Sequence, residues 1–110
     1  MSDLSTQISG HHERSVDGSE TLAVGTDLSV AIGRNRIETV GKSSLLTVGN
    51  KLRLEAADEI ALVVGAASLV LKKDGSITIK GKNIDLTGSG KINVKASSDL
   101  TLKGSKILDN

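Results

Sequence analysis

Apolar and polar residues alternate along most of this chain, and the alternation is punctuated at a fixed interval. Val24-Gly25, Ile32-Gly33, Val40-Gly41 and Val48-Gly49 recur every eight residues without a slip. Val64-Gly65 falls two registers later and Gly81 two registers after that, while Val16 extends the Val column upstream. From 25 to 81 the glycine column reads Gly, Gly, Gly, Gly, Ala57, Gly, Lys73, Gly. Random placement of the chain's 12 glycines would fill about one of those eight slots, and six are filled. The period is therefore a property of the sequence.

The second half carries a related signature. Apolar pairs flank one intervening residue at Leu52/Leu54, Ile60/Leu62, Leu69/Leu71, Ile77/Ile79, Ile84/Leu86, Ile92/Val94 and Leu100/Leu102, and Ile107 begins the next rung. The pairs stand seven to nine residues apart, with Thr, Ser, Lys, Asn, Asp and Gly between them. Period two is the strand period, and Gly, Asn and Asp supply the positive φ that sharp corners use. The predicted unit is a strand of about five residues plus a corner. Helix is excluded by the period, by the recurring Gly and by the β-branched content. An antiparallel meander is the rival arrangement, and Lys73-Asp74-Gly75-Ser76 has the composition of a hairpin turn. Connections such as Thr87-Gly88-Ser89-Gly90 are less typical of hairpins. A regular step with a Gly corner fits one-handed winding better, with one local hairpin allowed near Asp74.

Three octads would make one coil of a monomeric three-sided β-helix, a stub of roughly 20 Å with unpaired sheet edges at both ends. Such a coil would let its three faces specialise, yet no 24-residue period overlies the eight, and consecutive octads look interchangeable. Interchangeable octads are what a threefold fibre requires. The expected fold is all-β: an intertwined, triple-stranded β-helix in which each chain climbs one strand spacing per octad, spanning about 50 Å. Residues 1–15 form an irregular lead-in and 16–110 the shaft and tip. Val24, Ile32, Val40, Val48, Val64, Leu86, Val94 and Leu102 are expected to line the trimer axis, with Gly25, Gly33, Gly41, Gly49, Gly65 and Gly81 at the corners. Fold and homotrimer would form together, leaving no stable monomer.

Composition narrows the picture further. The chain has no Phe, Tyr, Trp, Cys or Pro and one Met, so its interior must be filled by Val, Ile, Leu and Ala, which suits a narrow axis. Its length allows one domain. Disulfides and thiolate metal sites are excluded, no apolar run approaches the ~20 residues of a membrane-spanning helix, and no secretory signal is visible at the start. Residues 1–49 carry four bases and six acids and residues 50–110 ten and seven, too mild an asymmetry to imply nucleic acid.

Candidate chemistry is sparse. His11-His12 either forms an exposed pair before the repeat becomes regular or, in a trimer, converges on a cation, although no carboxylate stands at a ligand-like spacing. Counting by two from Val40 puts Arg36 and Glu38 on its side of the strand. Either a corner changes the phase there, or that stretch of interior is polar and its charges pair, because unpaired buried charge costs several kcal/mol. Lysines 72, 73, 80, 82, 91, 95, 103 and 106 either steer the tip towards anionic surfaces or keep exposed strands soluble and apart. Gly88-Ser89-Gly90 is no phosphate loop, the calcium-binding β-roll pattern is absent, and no catalytic arrangement can be argued. The expectation is a protein that is not an enzyme, with no catalytic residue, no metal and no cofactor.

The Val-Gly recurrence, octads such as Gly33-Arg34-Asn35-Arg36-Ile37-Glu38-Thr39-Val40, the stretch Ser68-Leu69-Val70-Leu71-Lys72-Lys73-Asp74-Gly75-Ser76-Ile77 and the tail Gly90-Lys91-Ile92-Asn93-Val94-Lys95-Ala96-Ser97 resemble one family. The chain resembles the C-terminal β-helical part of VgrG, the valine–glycine repeat spike proteins of bacterial type VI secretion, and is similar to the needles of contractile phage tails. The resemblance covers about residues 16–108 and implies a trimeric spike, assembled in the bacterial cytoplasm and driven mechanically through a target membrane with effectors. It implies a PAAR-type tip protein or effector at the C-terminal end, where Gly104, Ser105, Lys106, Ile107 and Leu108 would offer unpaired strand edges as a docking template. The family's N-terminal barrel has no counterpart here, so a fragment or a shortened member is expected. A phage tail needle, or a carbohydrate-binding or carbohydrate-cleaving β-helix, is the alternative, and the absence of aromatic residues weighs against the carbohydrate reading.

Overall fold

The computed structural model describes residues 2–109 and divides the chain into two units, residues 1–46 and 47–110. Within the first unit the backbone bends at 9–10, 17–18, 25–26, 33–34 and 41–42. Within the second it bends or turns at 49–50, 57–58, 65–66, 73–74, 82–83, 89–90, 97–98 and 105. The eight-residue sequence period is thus a period of chain direction as well, with one displacement of a single residue at 82–83.

All regular structure in the described residues is β, in one three-stranded sheet: β1 (Glu59–Val64), β2 (Ala67–Lys72) and β3 (Ile77–Lys80). The strands run antiparallel in the order β1-β2-β3. This departs from the winding expected through residues 59–80, where one hairpin near Asp74 was allowed and two are found. The first reversal is the two-residue loop Gly65-Ala66, since Val64 is paired directly with Ala67. Gly65 has φ +52° and Ala66 does not have positive φ, the pattern of a type II′ turn, whose twist matches that of the strands it joins. The second reversal is the Lys73-Asp74-Gly75 loop. Gly75 N–H donates to the Lys72 carbonyl at 3.0 Å, Lys72 N–H to the Ser76 carbonyl at 3.0 Å, and Gly75 takes φ +93°. A tight turn followed by a left-handed glycine is the usual three-residue hairpin.

Register gives the sheet two unlike faces. Ile60 is paired with Leu71, Leu62 with Leu69 and Val64 with Ala67, while Leu69 also faces Ile79 and Leu71 faces Ile77. Paired residues share a face, so one face is wholly apolar. The other carries Glu59, Ala61, Val63, Ser68, Val70, Lys72, Thr78 and Lys80.

Outside the sheet the octads make no ladder. The only backbone hydrogen bonds beyond those of the strands, among the described residues, lie at the second turn and from Lys73 N–H to the Asp58 carbonyl at 2.9 Å. No described residue is buried. The corner glycines also differ from expectation. Only Gly65 and Gly75 have positive φ among the described residues, so Gly25, Gly33, Gly41, Gly49 and Gly81 turn the chain without left-handed backbone. A Cβ added at Gly25, Gly33, Gly41 or Gly49 would meet no atom within 4 Å.

Candidate assembly surface

The bends put the axis-lining candidates into two columns. Val24, Ile32, Val40 and Val48 each stand one residue before a bend, whereas Leu86, Val94 and Leu102 each stand three residues before one. The first column is the more shielded, at 43–50 % exposed against 61–75 % for Leu86, Val94 and Leu102. Val64, the remaining candidate, precedes the first hairpin turn and is 81 % exposed. The single chain does not bring these side chains together into a core. Each of them is exposed.

The most concentrated apolar surface is the sheet face. Ile60, Leu62, Leu69, Leu71, Ile77 and Ile79 lie on it together with Val64. A shallow apolar hollow among Leu62, Val64, Ala67, Leu69 and Ile79 crosses all three strands. Leu69, on the central strand, is half-buried, while Ile77 and Ile79 on the edge strand are exposed. Sequence reasoning noted these residues as rungs and left most of them out of the axis-lining set. The missed signal is parity: the apolar pairs are even-numbered through Leu62, odd-numbered from Leu69 to Ile79, and even-numbered again from Ile84. A two-residue hairpin loop pairs residues of opposite parity, so the first switch is the mark of a hairpin.

Three Arg–Glu pairs lie along the octads. Arg36 Nη2 lies 2.8 Å from Glu38 Oε2, which fits both side chains sharing Val40's side of the strand, as counting by two places them. Arg14 Nη2 lies 3.0 Å from Glu20 Oε1, joining one octad to the next across the bend at 17–18. Arg53 pairs with Glu55 on the opposite phase. With every one of these side chains at least half exposed, each pair contributes only about 0–1 kcal/mol in the single chain.

At the second turn, Asp74 Oδ1 accepts the Ser76 backbone N–H at 3.0 Å. That hydrogen bond favours the ionised carboxylate and holds Asp74 below the ordinary carboxyl range. Around it Asp58, Glu59, Lys72 and Lys73 line an open charged hollow of mixed sign. His11 and His12 are exposed, and the described residues contain no cluster of three or more His, Asp or Glu placed to hold a metal ion. No helix among the described residues is long and apolar enough to cross a membrane. Ile107 and Leu108 follow the bend at 105 and are 54 % and 82 % exposed.

Comparison with known proteins finds a related segment. Over 35 residues the chain is 63 % identical to the type VI secretion system spike protein VgrG1b of Pseudomonas aeruginosa. The match covers 32 % of this chain and 5 % of that protein's length. A segment of the chain is therefore VgrG-related. No protein-family profile matches the chain.

Proposed function

We propose that this chain is a structural shaft: three copies wind about one axis as a triple-stranded β-helix and act as a force-bearing spike of the type VI secretion kind. The observation that carries this reading is a backbone that bends every eight residues while its octads outside the sheet make no backbone hydrogen bonds among the described residues. Backbone N–H and C=O groups are obligatory hydrogen-bonding groups, and a partner with bends at the same spacing satisfies them in order. Other copies of this chain have that spacing. The corner glycines support the same view, since neither φ nor a neighbouring atom in the single chain explains Gly25, Gly33, Gly41 and Gly49. Close approach of another backbone does explain them.

In such an assembly each strand lies between strands of two other copies, Val24, Ile32, Val40, Val48, Val64, Leu86, Val94 and Leu102 fill the axis, and local opening requires separating three chains at once. That gives slow unfolding under load, the property a puncturing shaft needs. Its role is mechanical, with no reaction assigned to it. Residues Gly104 to Leu108, with Ile107 and Leu108 uncovered, present a docking surface for a PAAR-type tip or effector. Delivery would carry the assembly from the bacterial cytoplasm into a target cell. The relative's printed description, a type VI secretion spike, supports this for the matched segment.

Light scattering on the purified chain tests the reading. The expected mass is three times 11.4 kDa; a folded monomer at micromolar concentration overturns it.

A further inference from the structure

We infer, resting on the trimeric reading above, that the apolar face of the β1–β2–β3 sheet is where copies of this chain first meet, and that it fixes the register in which the flanking octads then pair. Two observations carry this. The sheet is the only segment among the described residues whose backbone ladder closes within one chain. Its pairs are local, from Val64 with Ala67 out to Glu59 with Lys72, so loop closure is short and hairpin formation takes on the order of 1–10 μs. The octads have no such route, since every ladder bond they make must wait for a second chain.

The second observation is what the sheet presents. Once formed, it holds Ile60, Leu62, Leu69, Leu71, Ile77 and Ile79 on one face, where Leu62, Leu71, Ile77 and Ile79 are exposed and Ile60 and Leu69 only half-buried. A sheet that is hydrophobic on one face must bury that face against another element. The cover is the same face of the other copies. The apolar pairs Leu52/Leu54 before the sheet and Ile84/Leu86 after it lie on the octads that require copies of this chain as partners, so one set of neighbours covers both. The sheet also discriminates register. It occurs once in the chain, so a neighbour displaced by one octad leaves part of its apolar face uncovered, whereas an octad slipped by eight residues meets an octad of the same pattern. The repeats alone therefore align poorly, and the non-repeating sheet supplies the unique position.

Pulse-labelled hydrogen exchange during refolding of the full wild-type chain tests the order. Amides of residues 60–71 should gain protection before those of residues 20–50, in a phase whose rate rises with protein concentration. Full-chain variants give a second reading. Leu69→Ala should slow assembly roughly tenfold or more and change unfolding little, and Val48→Ala should leave the assembly rate within about twofold and speed unfolding. The milder Ile79→Val, which keeps the sheet's shape, should slow assembly about two- to threefold. Octad amides protected first or simultaneously, or equal slowing by Leu69→Ala and Val48→Ala, overturn the inference while a trimeric wild type leaves the spike reading standing. A folded wild-type monomer removes both.

Discussion

Replacing Gly33 by Ala separates a chain that stands alone from one packed against copies, because the two cases give opposite signs. In the single chain Gly33 has no positive φ, and an added Cβ meets nothing within 4 Å. Ala at such a site stabilises by about 0.4–1 kcal/mol through the lowered entropy of the unfolded chain. If a neighbouring backbone crosses closely at that corner, the Cβ instead forces an overpacked contact costing roughly 1–3 kcal/mol at each site. One substitution places three such methyls in a trimer, so the gross penalty is about 3–9 kcal/mol per assembly, before the entropy gain of about 1–3 kcal/mol is subtracted. Three chains of 110 residues at ~2.1 cal/mol/K per residue give an unfolding entropy of ~0.7 kcal/mol/K. A penalty in the middle of that range, less the entropy gain, lowers Tm by roughly 6 °C, whereas an unobstructed corner raises it by roughly 2–4 °C. The assay is thermal unfolding by circular dichroism, with light scattering at each plateau to show that a trimer is what melts. Gly65→Ala is the control, since its φ of +52° strains Ala in either case and costs about 1 kcal/mol per chain. A Gly33→Ala trimer with a raised Tm refutes the close-approach explanation of the corner glycines.

Arg36→Leu alone leaves Glu38 without its 2.8 Å partner; with that side chain enclosed in the trimer the loss is about 3–5 kcal/mol per chain, while Arg36→Leu with Glu38→Leu is neutral or stabilising. A single-variant loss under about 1 kcal/mol, measured by guanidinium unfolding, places the pair in solvent instead. Asp74, held below its ordinary value of 3.8 by the Ser76 N–H, contributes stability that is present above that pH and is lost as pH falls through the lower folded value; Asp74→Asn should flatten that acid limb of a melting-temperature profile, and an unchanged limb places the acid sensitivity elsewhere. Deleting Ser105 to Asn110 should abolish capture of a PAAR-type tip protein while the trimer persists, and undiminished binding moves the docking surface away from residues 104–108.

The architecture was legible in the sequence wherever one residue type filled one slot of the octad, and hidden wherever the same slot served two geometries. Val24-Gly25 through Val48-Gly49 announce the bends at 25–26, 33–34, 41–42 and 49–50, because the period survives whatever the corner's dihedral angles are. The two hairpin turns at 65–66 and 73–74 fall on the same eight-residue spacing, so counting registers cannot tell a reversal from a corner. Parity can. The Gly65-Ala66 loop pairs Val64 with Ala67, an even residue with an odd one, so keeping Leu69 and Leu71 on the face of Ile60 and Leu62 obliges the apolar residues to change parity across the turn. The second loop has three residues and pairs like with like, Leu71 with Ile77, so parity is kept through Ile79. It reverts at Ile84, just past 82–83, where the bend is displaced by one residue. A one-residue displacement is what moves a side chain to the other face of an extended chain, so that slip returns Ile84 and Leu86 to the phase that Leu52 and Leu54 held before the sheet. The axis-lining set lay further from reach, because on the trimeric reading proposed above each of those side chains would be given its role by other copies of the chain.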